Sequence, residues 1–159
     1  MGSRSKTDLA YIAGFLDGDG SLMLQIKKRK DGKIKYRFMC TICFYQDSRH
    51  EKELFWIRKI LRIGYLSRRN DGMSELRING IAQIKNILKQ LIPYVRFKKQ
   101  QAKALYKAAS ILERKKIAHF TQSELREIIG CIKIIQDNNY VTRKKKTELE
   151  LFKVLGLTP

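Results

Sequence analysis

The feature that most narrows the fold is a pair of period-two runs separated by a turn dipeptide. In residues 21–29, Leu22, Leu24 and Ile26 alternate with Met23, Gln25 and Lys27. In the run that returns, Ile34, Tyr36, Phe38, Cys40, Ile42 and Phe44 alternate with Lys33, Lys35, Arg37, Met39, Thr41 and Cys43. Asp31-Gly32 lies between them. Successive side chains of a strand point to opposite faces, so each run is a strand with one apolar and one polar face, and the pair reads as an antiparallel hairpin. Such a sheet needs cover on its apolar face only.

The flanking segments supply that cover. Residues 8–17 place Leu9, Ile12, Ala13 and Leu16 at helical spacing. Ser48 and Glu51 read as a capping box opening a helix whose stripe is Leu54, Ile57, Ile60 and Leu61, with Gly64 as its stop. Two short strands follow, near 65–69 and 73–79, joined by Asn70-Asp71-Gly72. Helices are expected from about 81 to the stop at Pro93, over 98–112, from a Thr121/Glu124 capping box, and from a Thr147/Glu150 box to Gly156. The order α-β-β-α-β-β-α, then further helices, implies an α+β domain with one antiparallel sheet. At 159 residues the chain fits one domain, expected over 8–159 behind a tail at 1–7.

The uncovered face carries Gln25, Lys27 and Arg29, then Lys33, Lys35 and Arg37, then Ser67, Arg69, Glu75 and Arg77. Asp31, in the turn, and Glu75 are its only carboxylates, whereas a merely wet face mixes both signs. The whole chain has 34 Lys and Arg against 15 Asp and Glu, a net charge of +19. A surface this basic collects a polyanion: nucleic acid first, an anionic membrane second. A two-stranded ribbon fits the DNA major groove, where Arg, Lys and Gln read base edges. The short basic runs at 27–30 and 143–146 suit phosphate contacts or plain solvation. No run approaches the ~20 apolar residues of a membrane span. The first residues lack an apolar signal core, so an intracellular protein is expected, in an organelle or a prokaryotic cytoplasm. Three cysteines cannot all pair, which suits a reducing compartment. Cys40 and Cys43 spell C-x-x-C, but odd spacing in a strand separates them, which argues against a zinc or redox site.

The first helix is unusual. Ala10, Gly14 and Gly18 recur every four residues and bare a stripe of backbone, although glycine costs a helix about 1 kcal/mol relative to alanine. Close packing within the chain and self-association about a two-fold axis both explain it. Asp17 and Asp19 stand at its C-terminal end, where the helix dipole disfavours negative charge. A bound Mg²⁺ or Ca²⁺ would offset that; an ordinary acidic turn has the same residues.

Ile12-Ala13-Gly14-Phe15-Leu16-Asp17-Gly18-Asp19-Gly20, followed by Ser21, resembles the LAGLIDADG motif. The element order, Gly64-Tyr65 entering the third strand, and Arg96-Phe97-Lys98-Lys99-Gln100-Gln101-Ala102 extend the resemblance over about residues 8–138. It implies a LAGLIDADG homing endonuclease of the single-motif, homodimeric type, with the αββαββα core, a saddle-shaped DNA-binding sheet and C-terminal helices. The resemblance further implies a dimer seam at Ala10, Ala13, Gly14, Asp17 and Gly18. Asp19 and the Gly18 carbonyl would hold Mg²⁺, with Ca²⁺ able to fill the site without supporting cleavage. Gln46 would order water and Lys98 would stand at the scissile phosphate. A basic residue of the family falls at His50 or its neighbour Arg49. The implied reaction is metal-assisted hydrolysis of both strands of double-stranded DNA at a long pseudo-palindromic site, leaving short 3′ overhangs, with no membrane involved. The rival is a nucleic-acid-binding relative, an RNA maturase or regulator, that does not cut.

Overall fold

The computed structural model describes residues 4–139 and 144–159. Residues 1–3 of the expected tail, and Arg143 of the second basic run, lie outside the described residues. Helix α1 spans Lys6–Asp19, two residues longer at each end than its apolar period suggests. Ser5 caps it by accepting the Asp8 N–H. Arg4 donates to the carbonyls of Ile60 and Leu61 at 3.0 and 2.8 Å, which ties the start of the chain into the fold.

The chain passes from α1 into strand β1 (Gly20–Lys28) with no connecting residue. A Cβ at Gly20 would lie 2.8 Å from the Leu16 carbonyl oxygen, so this junction requires glycine. Strand β2 (Tyr36–Asp47), a 3₁₀ turn (Ser48–His50), helix α2 (Lys52–Leu61), and strands β3 (Tyr65–Arg68) and β4 (Met73–Asn79) follow. The four strands form one antiparallel sheet in the order β1-β2-β4-β3. Leu22, Leu24, Cys40, Ile42, Phe44, Leu76 and Ile78 share its buried face. Helices α3 (Ile81–Leu91), α4 (Lys99–Arg114) and α5 (Gln122–Asn138), with α1 and α2, complete a single core against it. Helix α6 (Glu148–Leu155) packs on α5. The fold is the α+β arrangement expected, and the capping boxes at Thr121/Glu124 and Thr147/Glu150 are both formed. Among the described residues no helix is long and apolar enough to cross a membrane. Cys40, Cys43 and Cys131 are all free and buried.

Four local expectations are corrected. Ser48 and Glu51 form no capping box: α2 begins at Lys52 without a side-chain cap, because Ser48 bonds Ser74 and Glu51 bonds Arg68 and Ser74. The left-handed stop of α2 is Arg62 (φ 59°), not Gly64. Gly64 (φ 119°) instead lets the backbone pass over Leu76, whose Cδ1 would lie 2.6 Å from an added Cβ. The β1–β2 ladder closes at Lys28 opposite Tyr36, which puts Arg29, Lys33 and Lys35 in the hairpin loop rather than on the sheet face. The two-residue turn read at Asp31-Gly32 is thus a wider loop, entered through the Arg29 N–H bond to the Lys35 carbonyl at 2.7 Å. Ala13, fully buried in its own chain's core, has no surface to offer a second copy.

Candidate active site and nucleic-acid interface

The two carboxylates at the end of α1 have separate surroundings. The two oxygens of Asp17 accept the backbone N–H groups of Arg96 (2.7 Å) and Lys98 (2.9 Å). The Lys98 ammonium donates to the Asp17 carbonyl, one of the carbonyls that a helix C-terminus leaves without intrahelical partners. Asp17 thus fastens the segment between α3 and α4 to the end of α1. Asp19, two residues on, keeps an exposed side chain. Lys98 is half-buried; burial lowers its pKa, and the charges of Asp17 and Asp19 oppose that shift.

The sheet register brings Gln46 to the same end of the molecule. Gly20 pairs with Phe44, so Gln46 lies two residues beyond, where α1 meets the sheet. Its Oε1 accepts the Asp47 N–H at 2.8 Å. Asp47 takes the Arg49 guanidinium through both oxygens at 3.0 and 2.7 Å, and that contact holds its carboxyl well below the usual range. Arg49 is thereby paired within its own turn, while His50 beside it is exposed.

Among the described residues no three His, Cys, Asp or Glu side chains are grouped to hold a metal by themselves. The donors at the end of α1 nonetheless suit a hard cation: an exposed carboxylate on Asp19 and the last-turn carbonyl of Gly18, both oxygen. Negative charge at a helix C-terminus is unfavourable alone and favourable beside a cation. The remaining ligands would come from outside the chain.

Of the expected sheet-face residues, Gln25, Lys27, Arg37, Ser67, Glu75 and Arg77 share the open face, as their pairing requires: Lys27 with Arg37, Ser67 with Glu75, and Arg77 with Cys43. Glu75 accepts from Arg77 Nε at 3.0 Å. Arg69 lies one residue past β3, where its N–H bonds the Met73 carbonyl and its guanidinium sits 5.9 Å from the centre of the Tyr45 ring. Tyr45, which shares a hydrogen bond with Ser21 (3.1 Å), and Tyr65, 71% exposed, belong to this face, to which the sequence reading assigns neither. Following the alternation of β2 two residues further finds Tyr45.

The outward side of α1 presents Ala10, Gly14 and Gly18, and an added Cβ at either glycine meets nothing within 4 Å. Close packing within the chain therefore does not explain this stripe. It borders an open groove of about 630 Å³ lined also by Pro93, Tyr94 and Val95. Phe97 at the groove is 83% exposed and Tyr11 54%. Phe97 is quoted within the 96–102 segment of the sequence reading but is given no role there; an aromatic between Arg96 and Lys98 is its signal.

The family model described as LAGLIDADG endonuclease matches residues 12–112. This chain belongs to that family. It is 30% identical over 145 residues to DNA endonuclease I-CreI of Chlamydomonas reinhardtii, covering 91% of this chain and 86% of that one. It is 38% identical over 94 residues to DNA endonuclease I-CvuI of Chlorella vulgaris, a stretch covering 59% of this chain and 58% of the relative. The crystal structure of I-CvuI with the I-CreI target and 2 mM Mg, in which the DNA is not cleaved, superposes with a TM-score of 0.82 at 28% identity, covering 97% of this chain and 98% of that one. The same figures hold for I-CvuI with its own target and 2 mM Ca. An archaeal match, the intron-encoded homing endonuclease I-Vdi141I bound to DNA, shares the fold with a TM-score of 0.78 at 17% identity.

Proposed function

We propose that two copies of this chain form a site-specific endonuclease that hydrolyses both strands of a long, pseudo-palindromic DNA duplex in a divalent-metal-dependent reaction. The observation that carries this reading is the exposed Asp19 carboxylate, two residues from the Asp17 carbonyl that receives the Lys98 ammonium, at one end of a cationic strand face. A protein that only binds nucleic acid has no use for a bare carboxylate beside phosphate.

Asp19 and the Gly18 carbonyl hold the divalent ion, Mg²⁺ in the working enzyme, with Ca²⁺ able to occupy the site without cleavage. When bound, the ion supplies Lewis-acid stabilisation of charge at the scissile phosphate. Lys98 adds a fixed ammonium where negative charge develops. Its reach is set by the Asp17 bonds to the backbone of 96 and 98. Gln46 has both a donor and an acceptor and orders the attacking water; His50 is the neighbouring basic group, since Arg49 is paired to Asp47. The open sheet face and the lysines of the hairpin loop dock the duplex. One site serves one strand, so two copies meeting along Ala10, Gly14 and Gly18 make the double-strand break and leave short 3′ overhangs.

The deciding experiment incubates the purified protein with a randomised duplex library and Mg²⁺ and sequences the cut ends. Cuts clustered within one long, nearly palindromic site, with 3′ overhangs, are expected. Duplex that is retained but never cut favours the binding-only rival. The seam is checked separately: Gly14→Leu is expected to leave the fold of the single chain intact by circular dichroism, because its side chain enters open space, while light scattering finds monomer and the thermal midpoint falls only by what dimerisation adds.

A further inference from the structure

The turn that follows Gln46 is held by groups that touch neither the expected metal nor the open sheet face. Gln46 pairs across the ladder with Ser74, which is fully buried. Ser74 donates its hydroxyl hydrogen to Glu51 Oε2 at 2.6 Å, and Arg68 donates Nε and Nη2 to the two Glu51 oxygens at 3.1 and 2.6 Å. Ser74 also meets the Ser48 hydroxyl at 2.8 Å. A hydroxyl has one hydrogen, and that of Ser74 goes to the carboxylate, so Ser48 donates to Ser74. The result is a directed chain, Ser48 to Ser74 to Glu51, closed from the other side by Arg68. The Ser48 N–H adds a bond to the Gly72 carbonyl at 2.9 Å. The chain clamps residues 48–51 onto β3 and β4. Gln46 lies before this clamp, and His50 lies inside it.

We infer that Glu51 is a positioning residue of the endonuclease site: through Ser74 and Arg68 it fixes the orientation of the turn that follows Gln46 and carries His50. The inference rests on the reading above for its catalytic consequence, and on the hydrogen-bond geometry alone for its structural one. A carboxylate suits the task because one side chain accepts from a neutral donor and a forked cation at once. The ionised form is the one that accepts every bond, and the Arg68 and Ser74 hydrogens hold the Glu51 carboxyl down to about 2. Glutamine keeps an acceptor for one donor but offers hydrogens to the other, so it preserves the clamp in part.

Two readouts test this on the full chain. The first is amide hydrogen exchange of the free protein, which needs neither DNA nor metal. Glu51→Ala is expected to speed exchange about tenfold at 47–51, to leave α4 and α5 unchanged, and to be milder as Glu51→Gln. The second is single-turnover cleavage of a duplex recovered from the randomised library with unmodified protein. There Glu51→Ala is expected to cut about tenfold or more slowly, with Kd for that duplex within about threefold of the parent and Glu51→Gln intermediate. Arg68→Ala, which leaves the Ser74 bond in place, is expected to show the same pattern in weaker form and replaces Glu51→Ala if that variant does not fold. Unchanged exchange at 47–51 overturns the inference, as does a rate that falls only in step with the thermal midpoint or with Kd. Failure of the unmodified protein to cut any duplex overturns the endonuclease reading instead, and the exchange result still decides the role of Glu51.

Discussion

The two ends of the sheet are built differently. Where α1 enters, the groups assigned to chemistry or to its support are fixed by bonds from distant parts of the chain: Asp17 to the backbone of 96 and 98, Glu51 to Arg68 and Ser74. At the hairpin tip, Lys33 and Lys35 are exposed and lie beyond the last ladder pair, and among the described residues their one side-chain bond is a 3.5 Å contact from Lys35 Nζ to the Lys30 carbonyl. The contrast follows from what each task tolerates. Phosphodiester hydrolysis loses rate for errors of about 1 Å, whereas a long cation meets a phosphate equally well from many conformers. In the proposed enzyme, the more firmly bonded end is the one assigned to chemistry.

Four sets of substitutions test that contrast, the strongest first. Asp19→Asn removes the exposed carboxylate at the end of α1, and single-turnover cleavage with Mg²⁺ is expected to fall about 10³-fold or more, while filter binding finds Kd within about threefold. Near-normal cutting by this variant would remove the chemical half of the contrast altogether. Asp17→Ala strips two backbone amides of a charged acceptor, and urea titration is expected to show about 2–3 kcal/mol of lost stability together with a cleavage defect smaller than that of Asp19→Asn. An unchanged midpoint would mean that the 96–98 segment is held by something else.

The third concerns pH. Burial lowers the Lys98 pKa from 10.5. A lysine whose folded pKa lies below its unfolded value weakens folding while charged in both states, and the loss is relieved as pH rises through the folded pKa. Its ammonium is also lost earlier in alkali than that of a free lysine. Cleavage is expected to decline on the alkaline side before pH 10.5, and Lys98→Arg to shift that decline upward at some cost in rate. Identical pH–rate profiles would exclude Lys98 as the group that titrates. The smallest effects belong to the tip. Lys33→Ala and Lys35→Ala are each expected to weaken binding about two- to threefold and to reduce the salt slope of Kd by about 1 for each phosphate that the missing ammonium would neutralise. Lys27→Ala and Arg37→Ala, paired within the ladder, are expected to cost more, and a reversal of that ranking would place recognition in the loop.

Much of this was legible in the chain because the signals were local. Strand alternation placed Lys27, Arg37 and Arg77 on one face, and two capping boxes placed α5 and α6. The failures share a cause. Ser48 and Glu51 have the spacing of a helix cap, but Ser74 and Arg68, brought close by the β3–β4 hairpin, compete for their side chains and win. Gly64 looked like a helix stop because its real duty, room for Leu76, depends on a residue twelve positions away. Ala13 shares the apolar period of Leu9, Ile12 and Leu16, and the structure keeps it with them in the core; the resemblance alone set it in the seam. Asp17 and Asp19 were indistinguishable as letters; the 96–98 backbone separated them. The exposed ring of Phe97 gave no periodic signal at all.

The grip of Asp17 on the 96–98 segment has an evolutionary corollary. The two carboxylate oxygens engage main-chain hydrogens of residues 96 and 98, which every amino acid except proline provides. Selection can therefore rewrite the side chains at 96 and 97 and leave the anchor intact, so lineages descended from such a protein are free to vary those two positions, subject to a ban on proline at 96 and 98.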